Sequence, residues 1–238
     1  MDKKLAQDLV TKTRNDYNKV ADHFSSTRYA FNWSRVAEAI QKIQIEPGSN
    51  LLDLGCGNGR VIDILKSIKI EYTGLDISEE LVKLAQKKYP KKKFIVGDLL
   101  DTPFGDNEFD YALSLATLHH IPSEELRLRA LEEIRRILKP NGTALITVWY
   151  FWDDPKFKKQ VDEESSRRTS GKSKLDYGDF LKPWRDSKRN ILVERYFHAW
   201  EKTEMKDLLE RAGFKNIRLS DNSKDKNNNL IVAATRKD

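Results

Sequence analysis

The chain has 238 residues, of which 39% are hydrophobic and 34% are charged, with a formal net charge of +6. That length suits one domain with an elaboration, and no apolar run approaches the roughly 20 residues of a membrane span. The first residues, MDKKLAQDLVTKTRNDY, carry no apolar signal segment. The single cysteine, Cys56, excludes an internal disulfide and a cysteine cluster for zinc. We expect a soluble, cytoplasmic protein without a metal, whose positive charge favours a polyanionic partner.

The N-terminal region predicts two helices before any strand. Residues 4–27 place Tyr17, Ala21 and Phe24 on one helical face, and VAEAIQKI at residues 36–43 is a second amphipathic segment. Residues 1–48 therefore form a predicted helical cap.

Residues 49–150 alternate between strand and helix patterns. The strand-like runs are LLDLG, EYTGLD, KKFIVGD, FDYALSLA and GTALITVWY. Between them lie the helical runs RVIDILKSI, SEELVKLAQKK and SEELRLRALEEIRRIL, the last two opened by Ser78 and Ser123 as capping residues. Such alternation is typical of a parallel sheet with helices on both faces.

The remainder of the chain divides into two segments. Residues 151–191 are polar and charged with little periodicity, which predicts a basic insertion after the fifth strand that is at least partly mobile. From about residue 192, a strand candidate in ILVERYFHAW, a helix closed by Gly213 and two strands, FKNIRLS and NLIVAATR, complete the chain. We predict one domain, 1–238, with a doubly wound, seven-stranded, mostly parallel Rossmann-like sheet.

Three glycines alternate behind an aspartate at the end of the first predicted strand, in the sequence DLGCGNG. In a doubly wound sheet, a tight glycine turn at this place lets the backbone approach a ligand beyond the carboxyl ends of the strands. The spacing differs from the dinucleotide fingerprint G-x-G-x-x-G, and no lysine follows for a P-loop. Gly55, Gly57 and Gly59 therefore predict a turn around a different ligand.

This motif resembles the first motif of the class I S-adenosylmethionine-dependent methyltransferases, and the resemblance covers roughly residues 50–150. It implies that Asp76, which closes the second strand, holds the ribose hydroxyls. It also implies that Asp98 meets the adenine amino group, with the backbone N–H of Leu99 on the ring, and that Asp53 orders the glycine loop at the methionine end. The residues that the resemblance places along the cofactor are Tyr17, Asp53, Gly55, Cys56, Gly57, Asp76, Ile77, Asp98, Leu99 and Leu115.

A second group of motifs concerns the methyl acceptor. His119 and His120 follow the fourth strand in SLATLHHIPSEE, where either could touch a substrate or simply pack beneath the loop. Outside the sheet, SSTRYAFNW, a PW dipeptide and ERYFHAW contribute Arg28, Tyr29, Trp184, Arg195, Tyr196 and His198. The order TRY, DLGCGNG, LHH, PW, RYxH resembles the tRNA wobble-uridine methyltransferases that esterify 5-carboxymethyluridine. That resemblance implies Arg28, Tyr29, His120 and Arg195 as the acceptor-site residues.

The implied chemistry agrees with these residue types. A carboxylic acid with an ordinary pKa near 4 is ionised at pH 7, so it needs cationic and hydroxyl donors rather than a general base. The insertion offers candidate contacts to tRNA phosphates: Lys156, Lys158, Lys159, Arg167, Arg168 and Lys172. Eukaryotic members of the resembled family also act with a small zinc-binding activator subunit, which adds such a subunit to the candidate partners.

Two other functions share some of these features. Small-molecule methyltransferases of quinone biosynthesis have the same glycine motif, a similar N-terminal Tyr-x-x-x-Ala-x-x-Phe pattern and an L-H-H-I motif, and they predict no affinity for RNA. A non-catalytic binding protein could keep the fold, but it would have no chemical reason to retain the glycines and the three acids.

Overall fold

The computed structural model of the chain describes residues 1–27, 33–221 and 229–238. Within these ranges, seven strands form one sheet in the order β3-β2-β1-β4-β5-β9-β8. Strands β1 to β5 pair in parallel, whereas β9 is antiparallel to β5 and to β8. The predicted doubly wound, mostly parallel sheet is therefore confirmed. Its strands are β1 (Asn50–Leu54), β2 (Glu71–Asp76), β3 (Lys93–Val96), β4 (Phe109–Leu115), β5 (Leu138–Trp149), β8 (Phe214–Asp221) and β9 (Asn229–Arg236).

Helices cover both faces of the sheet. They are α1 (Lys3–Thr27), α2 (Ser34–Lys42), α3 (Ile62–Leu65), α4 (Glu79–Lys88), α5 (Glu124–Ile137), α6 (Pro155–Thr169) and α7 (Lys202–Arg211), with a 3-10 turn at Leu118–His120. The hydroxyls of Ser78 and Ser123 accept the N–H groups of Leu81 and Leu126, so both predicted helix caps are confirmed. The helix predicted in RVIDILKSI extends only over α3.

The central strands have a buried side chain on each face. Leu52 and Leu54 of β1 pack with residues of α5 and α7, while Leu51 packs with residues of α2, α3 and α4. Burial on both faces explains the nearly continuous apolar run of β1. The strand order reverses between β1 and β4, so the connections that follow these two strands run in opposite directions and leave a crevice at their carboxyl ends.

The region predicted to be a partly mobile insertion contains regular structure. Residues 155–169 form α6, and β6 (Asp179–Arg185) pairs antiparallel with β7 (Ile191–His198) as a separate two-stranded sheet. Polar composition concealed α6, in which Val161 is the one buried residue, and β6, whereas β7 confirms the strand candidate in ILVERYFHAW. Phe180 and Phe197 of this hairpin pack with Phe151 and Val161 in a small aromatic cluster.

Helix α1 lies across the open edge of the sheet. Its Asn18 carboxamide oxygen accepts hydrogen bonds from the Ser78 hydroxyl and the Glu80 N–H at the start of α4. Five residues further along α1, His23 accepts a hydrogen bond from the Trp184 indole of β6. The predicted N-terminal cap therefore closes the crevice from above. Within the described ranges, no helix is both long and apolar enough to cross a membrane.

Candidate active site

The crevice contains a cavity that receives residues from α1, the glycine loop, the strand ends and β7. The structure brings every residue predicted along the cofactor to its wall. These residues are Tyr17, Asp53, Gly55, Cys56, Gly57, Asp76, Ile77, Asp98, Leu99 and Leu115. His120 and Arg195 of the predicted acceptor site line it as well, whereas Arg28 and Tyr29 lie outside the described residues.

The glycine loop turns sharply after β1. The N–H groups of Gly55 and Cys56 both donate to the carbonyl oxygen of Leu75, at 2.7 and 3.0 Å. Gly55 has φ +76°, and a Cβ there would lie 2.2 Å from the Thr117 hydroxyl oxygen, so this position requires glycine on two counts. The loop backbone is thereby held at the cavity wall.

The two acids at the ends of β1 and β2 are buried. The Tyr72 hydroxyl donates to Asp53 at 2.8 Å, and Asp76 accepts the N–H groups of Gly57 and Ser78 at 2.7 and 2.8 Å. Burial raises the pKa of Asp53 to about 7 and that of Asp76 to about 6, and the hydrogen bonds oppose both shifts. Each carboxylate keeps lone pairs beyond those used by Tyr72 or by the N–H groups of Gly57 and Ser78, because its two oxygens offer about four acceptor sites. The acid that accepts a hydrogen bond from the glycine loop is Asp76, whereas the resemblance implied Asp53.

Asp98 follows β3 and completes a row of acids along the same edge. Its Oδ1 atom accepts the N–H of Leu100 at 2.9 Å, which fixes the carboxylate beside the cavity. The side chain of Leu99 is buried next to it. Asp53, Asp76 and Asp98 thus stand at the ends of three neighbouring strands.

The other end of the cavity contains a directional chain of hydrogen bonds. His120 Nδ1 lies 2.8 Å from the Tyr196 carbonyl oxygen, and His120 Nε2 lies 2.7 Å from the Tyr17 hydroxyl. A carbonyl only accepts, so Nδ1 carries the proton and Nε2 accepts from Tyr17. Arg195 Nη1 then donates to the Tyr17 oxygen at 3.2 Å. Burial, and next the charge of Arg195, lower the pKa of His120 to about 3, so its ring is neutral.

His119 is a packing residue despite lining the cavity. Its ring stacks on Phe197 with centroids 5.0 Å apart, and its Nδ1 accepts the backbone N–H of Trp149 at 3.3 Å. Burial lowers the pKa of this imidazole well below its usual value. Of the two histidines left open by the sequence, His120 is the one hydrogen-bonded to Tyr17.

Some residues of the PW and RYxH motifs line the cavity, and others make contacts outside it. Arg195 lines the cavity with its guanidinium 4.3 Å from the ring of Trp184. Trp184 itself packs against α1, and Tyr196 contributes its carbonyl to His120. His198 binds Asp179 and Glu204 away from the cavity.

Sequence reasoning missed several lining residues. They include Thr13, Phe24, Trp33, Arg60, Thr117, Thr147, Trp149 and Asn229. The rule that identified the acids, namely the carboxyl end of each parallel strand, would also have identified Thr147 and Trp149 on β5. Arg60 directly follows the glycine loop, and its guanidinium carbon lies 3.6 Å from the centroid of the Trp33 ring. No motif in the sequence predicts this pair.

The basic residues of the insertion lie on the outer surface. Lys156, Lys158, Lys159, Arg167, Arg168 and Lys172 are all exposed. Some are already paired along α6, as in Lys159 with Glu163 at 3.8 Å and Arg167 with Glu164 at 3.7 Å. Their predicted contact with tRNA stays a prediction.

Comparison with known proteins gives a consistent picture. Residues 52–146 match a family described as a methyltransferase domain. The chain is 33% identical over 215 residues to the tRNA (carboxymethyluridine(34)-5-O)-methyltransferase of Schizosaccharomyces pombe, covering 83% of this chain and 86% of that protein. It is 40% identical over 133 residues to the Arabidopsis thaliana protein of the same name, covering 56% of this chain but 31% of that longer protein.

Solved structures share the fold. A Methanosarcina mazei S-adenosylmethionine-dependent methyltransferase superposes with a TM-score of 0.70 at 23% identity, covering 83% of this chain and 97% of that one. A Haloferax volcanii protein in complex with the Trm112 methyltransferase activator gives a TM-score of 0.68 at 20% identity, covering 93% and 98% of the two chains. At these identities the likeness concerns the fold alone.

Proposed function

Since the chain belongs to the S-adenosylmethionine-dependent methyltransferases of the tRNA (carboxymethyluridine(34)-5-O) family, we propose that it esterifies the carboxylate of 5-carboxymethyluridine at the wobble position of tRNA. The proposal rests on the burial and the incomplete pairing of Arg195. It is 5% exposed and lines the acceptor end of the cavity. Within the described part of the chain it has no ion pair, and its buried Nε has no hydrogen-bond partner. A buried guanidinium in this state favours an anionic acceptor.

His120 supports the same acceptor class. A general base works best when its pKa lies near the operating pH, whereas the pKa of His120 is lowered to about 3. Its Nε2 is also occupied by the Tyr17 hydroxyl. A phenol or alcohol acceptor would have to lose a proton, and His120 is poorly suited to take it. A carboxylate is ionised at neutral pH and transfers no proton when it is esterified.

The residues at the other end of the cavity fit S-adenosylmethionine. When bound, this cofactor supplies a methyl group already activated by its sulfonium, so the protein has to orient the acceptor. Asp76 would hold the ribose hydroxyls, and Asp98 with the Leu99 N–H would hold the adenine. Asp53 and the backbone of the glycine loop would meet the methionine end. The apolar walls would come from Cys56, Ile77 and Leu115, which also line the cavity.

Roles at the acceptor end follow from the donors. Arg195 would bind the carboxylate of the modified uridine through guanidinium N–H groups that Tyr17 does not use. His120 would orient the Tyr17 hydroxyl, since its own Nδ1 proton is committed to Tyr196. Arg28 and Tyr29 stay candidate contacts from the family resemblance. The exposed lysines and arginines of α6 would meet tRNA phosphates.

We also propose a small zinc-binding activator subunit as a partner. The support is the fold similarity to the Haloferax volcanii protein bound to its activator. Copurification with an activator of this kind, and a gain in methyl transfer on adding it, are the expected results. Equal activity with and without every such activator tested would contradict this partner while leaving the reaction intact.

The decisive experiment measures transfer of labelled methyl from S-adenosylmethionine to tRNA that carries 5-carboxymethyluridine at position 34, followed by mass spectrometry of the nucleosides. The matched control is the same tRNA with unmodified uridine at that position. We expect the methyl ester only with the modified tRNA. If calorimetry shows cofactor binding but no ester forms with or without an activator, the proposed acceptor is wrong and a small-molecule acceptor becomes the better hypothesis.

A further inference from the structure

A cluster of four ionisable side chains, three of them buried, lies outside the cavity, behind β7. His198 Nδ1 is 2.7 Å from Asp179 Oδ1, and His198 Nε2 is 2.9 Å from Glu204 Oε2. Arg127 approaches the same two acids, at 3.1 Å from Glu204 and 3.9 Å from Asp179. Carboxylates only accept hydrogen bonds, so both ring nitrogens of His198 act as donors. We call these four residues the ionic cluster.

The ionic cluster joins the β6–β7 hairpin to two helices of the core. Asp179 begins β6 and His198 ends β7, and the two residues face each other in the hairpin register. Arg127 comes from α5 and Glu204 from the first turn of α7. Gly178 lets the chain pass close by, because its φ is +85° and a Cβ there would lie 3.1 Å from the His198 ring. The ionic cluster therefore connects the open end of the hairpin, where β6 begins and β7 ends, to the core.

Strand β7 connects this cluster with the cavity. Side chains alternate between the faces of a strand, so Arg195 and Phe197 share one face while Tyr196 and His198 share the other. Arg195 lines the cavity and Phe197 packs on His119 and His120. On the opposite face, the Tyr196 side chain is fully buried on the same side of β7 as His198, and burial, followed by the charge of Asp179, raises the pKa of its phenol. One strand thus has the acceptor site on one face and the ionic cluster on the other.

Two elements of the acceptor site depend on where β7 lies. The guanidinium of Arg195 is carried by the strand itself, and the Tyr196 carbonyl fixes the proton on His120 Nδ1. A shift of β7 would therefore move the guanidinium of Arg195 and would also break the hydrogen bond that orients the His120 ring. A displacement of about 1 Å in a positioning element can cost up to roughly 100-fold in rate.

We propose that Arg127, Asp179, His198 and Glu204 are positioning residues that hold β7 in the register required by Arg195 and His120. This inference rests on the proposed acceptor site and goes beyond it, because none of the four residues lines the cavity. It also gives a role to the histidine of the RYxH motif, which the structure places on the face of β7 away from the cavity.

Glu204→Gln is the variant that tests this proposal. Its side chain is 24% exposed, so the variant should fold, and the change removes one charge at nearly constant shape. We expect kcat/KM for the modified tRNA to fall about tenfold, with cofactor affinity changed less than about twofold. The control variant is Asp110→Asn, which breaks the ion pair with Lys139 at the amino end of β4. It should lower thermal stability without changing the acceptor kinetics.

A double variant shows whether the cluster acts through Arg195. Arg195→Lys alone should reduce turnover, and adding Glu204→Gln to it should cost clearly less than the product of the two separate losses. Independent effects that multiply, together with an unchanged KM in Glu204→Gln, would overturn the positioning role.

Hydrogen exchange supplies a readout that does not depend on the substrate. In Glu204→Gln, backbone amides of residues 191–198 should exchange faster than in the wild type, whereas in Asp110→Asn they should not. If the wild type forms no ester but this difference is observed, the proposed function fails and the positioning of β7 stands. If the wild type forms the ester and Glu204→Gln changes neither exchange nor kinetics, the positioning proposal fails and the function stands.

Discussion

The two ends of the cavity are built in different ways. At the cofactor end, the hydrogen bonds of the acids span at most 19 positions of the chain, as when Asp76 accepts the N–H groups of Gly57 and Ser78 and Asp98 accepts that of Leu100. At the acceptor end, Tyr17 bonds His120 across 103 positions and Arg195 across 178. The first end is therefore specified by local chain geometry, whereas the second depends on how α1 and β7 pack over the sheet. Substitutions at the two ends should separate cofactor affinity from turnover.

The largest effect is expected for Gly55→Ala at the cofactor end. The new Cβ would lie 2.2 Å from the Thr117 hydroxyl oxygen, and alanine disfavours φ +76°. We expect cofactor binding to be lost and the free energy of unfolding to fall by about 3 kcal/mol. Calorimetry and urea denaturation measure the two changes. Gly171→Ala is the matched control, because its φ is +72° with no atom within 4 Å of the added Cβ. Equal behaviour of the two variants would show that the contact with Thr117 is unimportant.

Arg195→Ala should be the largest change at the acceptor end. Removing the buried guanidinium takes away a charged hydrogen-bond donor, so we expect turnover on the modified tRNA to drop about 30- to 100-fold. Cofactor affinity should change less than about threefold, since Arg195 lies at the other end of the cavity. Steady-state kinetics and calorimetry test this separation, with exposed Arg185→Ala of the same hairpin as the control. If the variant lost cofactor affinity instead, the assignment of Arg195 to the acceptor end would be contradicted.

The same contrast explains what the sequence could predict. The glycine motif, the strand-end acids and the Ser78 cap depend on residues near each other in the chain, and the structure has them at the predicted turn, strand ends and helix start. The roles of the glycines and acids toward the cofactor stay a prediction. The hydrogen bonds of His120 could not be predicted, because they require the distances between α1, the 3-10 turn and β7. The contacts of His198 could not be predicted either, because they follow from the pairing of β6 with β7, which brings the histidine against Asp179.

Asp76→Asn should weaken cofactor binding by an intermediate amount. The amide replaces one acceptor oxygen by a donor, which removes a partner for a ribose hydroxyl and sets an NH2 group against a backbone N–H. We expect a loss of about 1 to 2 kcal/mol in binding free energy, with turnover at saturating cofactor largely kept. Isothermal titration of the variant measures it, and the exposed Asp101→Asn is the control. Unchanged affinity would remove Asp76 from the cofactor site.

The buried acids also predict opposite pH trends for stability and for cofactor affinity. Burial raises the pKa of Asp76 to about 6 and that of Asp53 to about 7 from the usual 3.8. Their stabilising contribution is therefore complete below about pH 4 and is lost as the pH rises to about 7. Affinity should rise over the same interval, because ribose hydroxyls bind the ionised carboxylate best. Denaturation and calorimetry at about pH 5.5 and pH 7.5 measure the two quantities. If stability and cofactor affinity changed in the same direction between these pH values, the assignment of the buried acids to the cofactor site would be wrong.

Tyr17→Phe should have the smallest effect, and it addresses the boundary between the two ends. The sequence placed Tyr17 along the cofactor, but its hydroxyl donates to His120 and accepts from Arg195. Phenylalanine keeps the ring in the cavity wall and removes only those two hydrogen bonds, so we expect turnover to fall about 3- to 10-fold. Measuring both kcat and the dissociation constant of the cofactor, in the variant and in the wild type, shows to which end of the cavity Tyr17 belongs. A change confined to turnover makes Tyr17 part of the acceptor end, whereas a change confined to cofactor affinity would return it to the place that the sequence predicted.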